Sequence, residues 1–336
     1  MTVAAPLWLS EADVTALVSF EEAIAAVEWG LLAEAQGDAG NLVKTQVSWS
    51  QGHTLHALGA TFGRAGFAGT KTWAHTAGGA TPLLVLFDAR NGSLRAIIEA
   101  FALGQLRTAA ASAVATRWLA APEADTLAII GSGKQALPQV AAVAAVRPIR
   151  HVRVFSPNPE HRSAFAERLR STFGLAVSEA RSVGEAVVDV PLVTLVTRAT
   201  APVLFAHMLA RGSHVNAVGA ITPDRVEFAG DLFARCDRVV VDNLATVQLL
   251  SREFRERYGA DKSSWTEVRS LAQLVASKEV RPAGADLTLF KAMGTGIADL
   301  SVAIRVYERA VRDGVGCPLA APAPAALRWQ PRKGST

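Results

Sequence analysis

The stretch Thr126-Leu-Ala-Ile-Ile-Gly131-Ser-Gly133-Lys-Gln-Ala136 decides the fold of this chain. It has the pattern of an apolar strand, a glycine turn and the start of a helix. Gly131 allows the tight turn, Gly133 lets the backbone approach a pyrophosphate, and Ala136 is the third small residue, needed where the helix packs on the strand. The helix N-terminus then presents free N–H groups to phosphate oxygens. The stretch therefore predicts a dinucleotide-binding turn; the alternative is a glycine turn in an α/β domain that binds no nucleotide.

The sequence around and after this turn alternates between strand-length apolar runs and helical periods. Such alternation predicts a parallel sheet covered by helices on both faces. The predicted strands are Thr126–Ile130, His151–Phe155, Leu192–Val196, His214–Val218 and Arg238–Val241. The predicted helices are Gln135–Val146, Glu160–Thr172, Val183–Val188 and Ala245–Tyr258.

The residues before the glycine turn have a different character. A strand at Leu7–Leu9 precedes a helical period from Val14 to Leu32. Residues 41–100 are rich in glycine and in β-type alternation, which predicts an antiparallel meander rather than a βα repeat. The remaining predicted elements are a hairpin of Thr81–Phe87 and Leu94–Ile98, a helix at Ala109–Ala121 and a last helix at Ile297–Arg312.

The composition excludes several classes of protein. The 336 residues are 50% hydrophobic, which is enough for two packed cores, yet no apolar run is long enough to span a membrane and no signal-peptide pattern opens the chain. The net charge of +4 is spread along the chain, unlike the basic stripe of a nucleic-acid-binding protein. Cys236 and Cys317 form no C-x-x-C pair, so we expect neither a disulfide framework nor a thiolate zinc site. These features predict a cytoplasmic protein with no nucleic-acid or membrane partner.

The residues after the second strand of the nucleotide domain bear on the choice of cofactor. NAD-binding chains usually place a carboxylate there, which holds the ribose hydroxyls. Here the strand is followed by Ser156, and Asn158, His161 and Arg162 come next as groups able to contact a 2′-phosphate. The pattern favours NADPH over NADH as the cofactor and leaves both open.

Three cations upstream of the nucleotide domain are candidates for binding a substrate carboxylate. Arg107 lies at a helix start, where the helix dipole gives no reason for a cation. Lys71 and Lys44 lie between apolar residues in the β-rich region. Arginine binds a carboxylate through two parallel hydrogen bonds and lysine binds it as a point charge. For each cation taken alone, a solvated surface position is the alternative.

Five segments of the chain together resemble the ornithine cyclodeaminase/mu-crystallin family. They occur in the family's order and at about the family's spacing, over roughly residues 5–315, and the Arg-Thr-Ala-Ala-Ala-Ser-Ala stretch is the most specific. The matching segments are Gly69-Thr-Lys71, Leu106-Arg107-Thr108-Ala-Ala-Ala-Ser112-Ala, Gly131-Ser-Gly133-Lys-Gln135-Ala136, His214-Val-Asn216-Ala-Val-Gly219-Ala220 and Phe290-Lys-Ala-Met-Gly294-Thr-Gly296-Ile-Ala-Asp299.

This resemblance implies an α/β fold and a homodimer. A Rossmann-type, doubly wound parallel sheet at residues 119–299 would be inserted in an α+β substrate-binding and dimerisation domain at residues 1–118 plus 300–330. Lys71 and Arg107 would be the catalytic residues that bind the carboxylate of a small imino or amino acid, with Lys44 where the family more often has arginine. The cofactor-binding residues would be Gly131, Ser132, Gly133, Gln135, Ala136, Ser156, Asn158, Thr197, Asn216, Gly219 and Gly294.

One departure from the family pattern bears on the reaction. The family's cyclodeaminases and alanine dehydrogenases carry an aspartate shortly after the Asn-Ala-Val-Gly segment, and Ile221 stands at that position here. Isoleucine cannot take a proton, and loss of a positioned acid–base group costs about 10²–10⁴ in rate. The next residues, from Thr222 to Arg225, resemble the ketimine reductase branch. Asp224 is open to two interpretations, an N-cap or an alternative base.

The leading hypothesis is therefore reduction of a cyclic ketimine carboxylate, Δ1-pyrroline-2-carboxylate or Δ1-piperideine-2-carboxylate, to proline or pipecolate. A ketimine already carries its electrophilic carbon, so it needs mainly a nearby hydride and a carboxylate clamp. Three alternatives remain: an amino-acid dehydrogenase or linear imine reductase, a mu-crystallin-like protein that binds NADPH and a ligand without useful turnover, and, less favoured, an ornithine cyclodeaminase.

The remaining polar candidates have weaker patterns. His75 follows Lys71 by four residues and is a candidate for pocket polarity or proton transfer, with an ordinary core or surface histidine as the alternative. Asp299 is a candidate substrate-binding residue or a helix-start hydrogen bonder. His53 and His56 lie three apart on a strand and point to opposite faces, so no metal site is expected there.

Overall fold

The computed structural model describes residues 5–50, 52–259, 262–327 and 329. The strands are β1 Leu7–Leu9, β2 Ala39–Asn41, β3 Thr45–Trp49, β4 His53–Phe62, β5 Phe67–Thr76, β6 Gly79–Ala80, β7 Leu83–Asp88, β8 Leu94–Glu99, β9 Thr126–Ile130, β10 His151–Phe155, β11 Ala176–Glu179, β12 Leu192–Leu195, β13 Ser213–Ala217, β14 Cys236–Val241, β15 Val268–Ser270, β16 Leu287–Lys291 and β17 Cys317–Pro318. The helices are α1 Glu11–Leu17, α2 Phe20–Ala35, α3 Phe101–Leu119, α4 Ala136–Ala144, α5 Pro159–Phe173, α6 Val183–Val187, α7 Leu244–Leu250, α8 Arg252–Tyr258, α9 Leu271–Ser277 and α10 Gly296–Asp313.

The first sheet is mixed and runs in the order β17-β1-β8-β7-β5-β4-β2, with β3 added to β4 and β6 to β5. The predicted hairpin is confirmed, since β7 and β8 pair antiparallel. The pairs β4–β5 and β5–β7 are antiparallel as well, whereas β1 joins β8 in parallel. In the register, Leu58 pairs with Lys71 and His56 with Trp73. The side chains of these four residues therefore share one face of the sheet.

The second sheet is parallel throughout and runs in the order β11-β10-β9-β12-β13-β16-β14-β15. It confirms the α/β class predicted from the alternating pattern. From β9 the chain first builds outward through β10 and β11, and then returns to add β12 on the other side of β9. Ligands of open parallel sheets bind where the strand order reverses, outside the carboxyl ends of the strands. The crevice between β9 and β12 is therefore where the fold places a dinucleotide.

Two long helices connect the sheets. Helix α3 packs against α2, α4 and α10, and α10 also lies against β4 and β5 of the first sheet. Their apolar side chains belong to the largest buried cluster, which includes Leu103, Val114, Ile297 and Leu300. Neither of these helices, nor any other within the described ranges, is long and apolar enough to cross a membrane. The packing brings β5, α3 and α10 together beside the second sheet.

Several predicted helix boundaries are wrong, and the structure gives the reasons. The predicted helix from Val14 to Leu32 is two helices, because Ser19 forms a capping box with Glu22 and starts α2 afresh. The predicted helix Ala245–Tyr258 is also two helices, which meet at Ser251. Helix α3 begins eight residues earlier than predicted, at Phe101. The Glu11 carboxylate there accepts hydrogen bonds from the N–H groups of Phe101 and Ala102.

The domain boundaries remain a prediction. The boundary at 118/119 falls at the last residues of α3, and the boundary at 299/300 falls inside the continuous helix α10. Residues 328 and 330, which belong to the predicted range 300–330, lie outside the described residues. The two sheets nevertheless divide the sequence cleanly: one uses strands from 7–99 and 317–318, and the other uses strands from 126–291.

Candidate functional site

The three predicted cations lie close together at the N-terminal end of α10, around the carboxylate of Asp299. The ammonium nitrogen of Lys71 is 2.5 Å from Asp299 Oδ1, and Arg107 Nε is 3.1 Å from the same oxygen. Asp299 is fully buried, and the Lys71 side chain is 5% exposed. The buried carboxylate of Asp299, buried Lys71 and partly buried Arg107 hold one another in place, because little solvent is present to stabilise their charges.

Lys44 completes this group, which we call the cation cluster (Lys44, Lys71 and Arg107). It lies in the extended segment between β2 and β3 and is half-buried. Burial lowers the pKa of Lys44, and the positive charge of Arg107 lowers that pKa further. Lys44 and Arg107 repel each other at this partly buried site, and such a site is complementary to an anionic ligand.

The turn before α10 fixes the position of Arg107. Gly294 has φ +86°, and a Cβ atom there would lie 2.7 Å from a guanidinium nitrogen of Arg107. Asp242, which directly follows β14, accepts hydrogen bonds from the N–H groups of Met293 and Gly294. Burial raises the pKa of the Asp242 carboxyl, and the charge of Arg107 opposes this rise. Asp242 therefore stabilises the turn by hydrogen bonds to its backbone, while the Arg107 guanidinium packs against Gly294.

Burial also changes the pKa of Lys71. It lowers the pKa of the Lys71 ammonium to about 8, although Asp299 acts in the opposite direction. The charges of Arg107 and Lys44 add to the lowering. The ammonium nitrogen lies 5.3 Å from the ring centroid of Trp73, which shields one side of it. Lys71 is thus a cation whose charge changes just above neutral pH.

The glycine turn has the geometry that a pyrophosphate needs. Gly131 has φ +113°, and no heavy atom lies within 4 Å of a Cβ atom built on Gly133, so the backbone there is open to a ligand. Helix α4 begins at Ala136, with Gln135 at its N-cap position, and its first N–H groups face this turn. The residues present fit a dinucleotide phosphate by backbone contact alone.

Ser156, at the end of β10, is buried and its hydroxyl lies 3.0 Å from that of Ser132 in the glycine turn. Arg162 donates a hydrogen bond to the carbonyl of Ser156. Asn158 caps α5 by accepting a hydrogen bond from the His161 N–H. The serine pair therefore sits where the adenosine ribose is expected, with Arg162 beside it, while the Asn158 side chain is used by the helix.

The other predicted cofactor residues lie at the carboxyl ends of β12 and β13. Thr197 and Gly219 are brought together, because both donate hydrogen bonds to the Glu227 carboxylate. Asn216 is 1% exposed, and its amide donates to the Thr116 hydroxyl on α3. The Asn216 side chain thus joins α3 to the sheet rather than facing an open crevice.

The two residues that bear on the reaction type lie in the loop after β13. Ile221 is 38% exposed there, so an apolar side chain stands at the position of the family's aspartate. The Asp224 side chain is 67% exposed and ion-paired with Arg225 at 3.2 Å. A hydrogen bond from Thr222 lowers the pKa of Asp224. Asp224 lies in a turn and begins no helix, so its interpretation as an N-cap is wrong; its exposure and lowered pKa also make it a poor base.

His75 is the predicted site residue that lies far from the cluster. It is exposed and pairs with Ala80 of β6 near the tip of the sheet. Four residues along a strand span about 13 Å, so His75 shares a face with Lys71 without reaching it. His56, stacked on Trp73 with ring centroids 4.7 Å apart, lies closer to the cluster along the same face.

A groove of about 1300 Å³ opens on the far side of the glycine turn. It begins at Ser132 and Lys134 and follows the outer surfaces of α4 and α5 towards the start of α2. Lys71, Arg107 and Asp299 do not line it. The groove is therefore separate from the space in front of the cation cluster.

Three acidic residues with structural roles at the site were missed by the sequence reasoning. Asp242 follows a buried strand at the carboxyl edge of the sheet, a position that could have drawn notice. Glu227 carried no such signal, because its partners are mostly backbone groups of two separate loops. Glu34 lies on a helix and pairs with Asn41 seven residues later, a spacing that belongs to no motif. Glu34 accepts a hydrogen bond from the side-chain amide of Asn41, whose Oδ1 in turn accepts one from the N–H of Ile297 in α10.

Comparison with known proteins agrees with this geometry. The sequence profile of the ornithine cyclodeaminase/mu-crystallin family matches residues 5–314. A Delta(1)-pyrroline-2-carboxylate reductase of Bacillus cereus is 33% identical over 237 residues, which are 70% of this chain and 72% of that protein. The ketimine reductase mu-crystallin of Macropus fuliginosus is 31% identical over 231 residues, 67% of this chain and 68% of that protein.

A solved structure is similar over almost the whole chain. It is the Thermococcus litoralis Delta(1)-pyrroline-2-carboxylate reductase in complex with NADH and L-proline, with a TM-score of 0.87 and 27% sequence identity. The similarity covers 93% of this chain and 100% of that one. By sequence and by fold, this chain belongs to the ornithine cyclodeaminase/mu-crystallin family.

Proposed function

We propose that this protein reduces a cyclic ketimine carboxylate, Δ1-pyrroline-2-carboxylate or Δ1-piperideine-2-carboxylate, to L-proline or L-pipecolate. The observation that carries the proposal is the cation cluster around buried Asp299, combined with Ile221 at the position of the family's aspartate. That the chain is an NAD(P)-dependent oxidoreductase acting on a carbon–nitrogen bond follows from its family and from the names of its relatives.

The charge of the cluster supports a substrate with one carboxylate. Lys44, Lys71 and Arg107 supply three positive charges, and the carboxylates closest to them are Asp299 and Asp242. A substrate carboxylate would neutralise the remaining charge. Arg107 would bind it through the guanidinium fork and Lys71 as a point charge. The clamp would thereby fix the substrate's α-carbon, which is the atom that changes hybridisation.

The cofactor, when bound, supplies the hydride. The chain's own contribution is to hold the imine carbon at a fixed position at the carboxyl edge of the sheet, since Arg107 lies against the Gly294 turn, which follows β16 on the β12 and β13 side of the nucleotide crevice. Asp299 offsets part of the cluster's positive charge and so reduces the repulsion that a protonated imine would meet there. This mechanism requires no side-chain base at position 221.

The residues expected at the adenosine end of the cofactor favour NADPH. The hydroxyls of Ser132 and Ser156 and the neighbouring Arg162 form a neutral-to-cationic surface after β10. Arg162 lies 3.5 Å from Glu179, so part of its charge is already paired, and NADH remains usable.

A homodimer is part of this proposal. On β3 and β4 the side chains of Val47, Trp49 and Leu55 are 59%, 41% and 44% exposed. They lie on the face opposite to Lys71, because side chains alternate along the strands and Val47 pairs with Leu55. An exposed apolar face of this kind is typical of a surface that a second copy covers.

The test is consumption of reduced cofactor by the purified protein. We expect NADPH oxidation, and slower NADH oxidation, with Δ1-pyrroline-2-carboxylate or Δ1-piperideine-2-carboxylate, and no ammonia release from ornithine in the presence of NAD. Arg107→Met should lower kcat/KM by about 10²-fold or more, because it removes a charge-assisted carboxylate contact. Absence of turnover with both imines and both cofactors would refute the proposal.

A further inference from the structure

The carboxylate of Glu227 is the shared acceptor of two loops. Its Oε1 accepts hydrogen bonds from the N–H and the hydroxyl of Thr197, at 2.7 and 3.0 Å. Its Oε2 accepts from the N–H groups of Gly219 and Ala220, at 2.7 and 3.0 Å. Glu227 is fully buried. One buried carboxylate thus satisfies four donors that would otherwise be left without water.

These two loops follow adjacent strands and behave as one unit. Thr197 follows β12 and Gly219 follows β13, and the two strands pair in parallel. A Cβ atom at Gly219 would lie 2.1 Å from the Thr197 carbonyl oxygen and 2.5 Å from Glu227 Oε1. The backbones of the two loops are therefore in direct contact, and hydrogen bonds to the Glu227 carboxylate hold them together.

The position of the loops assigns them to one half of a dinucleotide. The glycine turn after β9 faces the pyrophosphate, and Ser156 after β10 marks the adenosine side. The other half of the dinucleotide must then lie over β12 and β13, on the opposite side of β9. The Gly294 turn, against which the Arg107 side chain of α3 lies, follows β16, and β16 pairs with β13 on that side. The loops fastened by Glu227 thus lie between the nucleotide crevice and the cation cluster.

A second buried charge pair supports Glu227 from behind. Its own N–H donates to Glu253 Oε1 at 3.1 Å. Glu253 lies 3.6 Å from the ammonium of Lys291, the last residue of β16, and both side chains are fully buried. The chain from Lys291 through Glu253 to Glu227 runs across the carboxyl ends of three neighbouring strands. Such a network costs desolvation free energy, which is expected where a specific geometry is maintained.

We propose that Glu227 is a positioning residue for the nicotinamide half of the cofactor. It acts through Thr197, Gly219 and Ala220, whose backbones it holds as the floor on which the nicotinamide ribose and ring rest. This inference depends on the proposed use of a nicotinamide cofactor and does not depend on which imine is the substrate. The hydrogen bonds of the Glu227 carboxylate go to Thr197, Gly219 and Ala220, and none goes to the glycine turn or to Ser156, so the adenosine half should be affected much less by its loss.

The test compares two ligands that share the adenosine half. In Glu227→Gln the amide NH₂ would face N–H donors, so one of the two loops loses its acceptor. We expect this variant to bind NADH about tenfold more weakly than the parent and to bind ADP, which lacks the nicotinamide ribose and ring, within about twofold of the parent. Hydrogen exchange of the backbone at 196–199 and 218–221 should become faster. Unchanged NADH affinity, or an equal loss for both ligands, would overturn the proposal.

A measurement on the unaltered chain keeps the test decisive if Glu227→Gln fails to fold. NADH should slow hydrogen exchange at 196–199 and 218–221, whereas ADP should slow it mainly at the glycine turn. Equal slowing of the two loops by both ligands would overturn the proposal. Glu253→Gln is the matched second variant, since it removes support one step away; we expect it to weaken NADH binding in the same sense and by less. None of these measurements uses an imine, so failure of the proposed reaction would leave their outcome distinct.

Discussion

Lys71 is a site residue whose acid–base chemistry is altered by its surroundings. Because burial lowers its pKa to about 8, the ammonium is charged below that pH and neutral above it. Affinity for a carboxylate ligand should therefore be constant up to about pH 8 and then fall by about tenfold per pH unit. Pyrrole-2-carboxylate is a suitable probe, because it carries the carboxylate without a titrating imine. Its inhibition constant, measured from pH 6 to pH 10, checks the prediction.

Two variants separate Lys71 from other titrating groups. Lys71→Arg keeps a positive charge at every accessible pH, so the fall above pH 8 should disappear. Lys71→Met should bind the probe weakly throughout the range. An alkaline limb that persists unchanged in Lys71→Arg would assign the titration to another group.

Ser156 carries the second prediction for a single residue. Ser156→Asp places a carboxylate where NAD-binding chains hold the ribose hydroxyls, and it would repel a 2′-phosphate. The ratio of kcat/KM with NADPH to that with NADH should fall by about tenfold or more. Ser156→Asn has a similar size without the charge and should shift the ratio much less. Equal shifts in both variants would show that side-chain volume, not charge, governs the preference.

Sequence reasoning did best for residues whose chemistry is unusual for their location. A lysine in an apolar strand has few structural uses, and Lys71, Arg107 and Asp299 do meet in space. The predicted helix start at Arg107 was wrong, because α3 begins at Phe101 and Arg107 lies in its second turn. It did less well for His75, because spacing along a strand gives the face but not the distance. The hydrogen-bond partner of Asn216 on α3 is 100 residues away in sequence, and those of Glu227 are up to 30 residues away. No local sequence pattern could therefore predict them.

The same contrast appears for whole elements. The strands β9 and β10 begin and end where the apolar runs predicted, because buried parallel strands have continuous apolar sequences. The strands β11, β15 and β16 were not predicted. Of these, β16 is a short run of five residues, and it is defined by pairing with β13 and β14 on either side. The early start of α3 likewise depends on Glu11, a cap supplied from a distant helix.

Helix α2 carries a carboxyl that destabilises the fold at neutral pH. Burial raises the pKa of Glu34 from 4.5 to about 7, and Glu34 Oε2 is buried without a hydrogen-bond partner among the described residues. Between those two pH values the folded state binds more protons than the unfolded state. The free energy of unfolding should therefore fall as pH rises from about 4.5 to about 7, and stay level above that range.

Glu34→Gln should remove this penalty. The variant should be more stable than the parent by on the order of 1–2 kcal/mol at pH 8, after allowance for partial solvent exposure, and equal to it at pH 4. Denaturant unfolding at the two pH values measures the difference. Glu21→Gln, in the first turn of the same helix, is the control of opposite sign. The hydrogen bonds of Glu21 lower its pKa, so its loss should destabilise the protein at pH 8. Equal effects of Glu34→Gln at both pH values would contradict this account.

At the scale of the whole molecule, alternation along β3 and β4 separates two surfaces. The face that carries Lys71 and Trp73 points to the cation cluster and to α10, whereas the opposite face exposes Val47, Trp49 and Leu55. A long pair of strands that exposes an apolar face to water tends to associate with another chain, which covers that face. Under the proposed function, the sheet would carry the substrate site on one side and an assembly surface on the other.

This division predicts how two neighbouring substitutions differ. Val47→Glu buries a charge if a second copy covers the face, so the protein should shift from dimer to monomer, as measured by light scattering during size-exclusion chromatography. Gln46→Glu adds the same charge one residue away, on the face that points to the cation cluster, and should leave the assembly intact. A Val47→Glu protein that remains dimeric, or a parent that is monomeric at micromolar concentration, would remove this face from the assembly. In that case the apolar side chains of β3 and β4 would need a different partner.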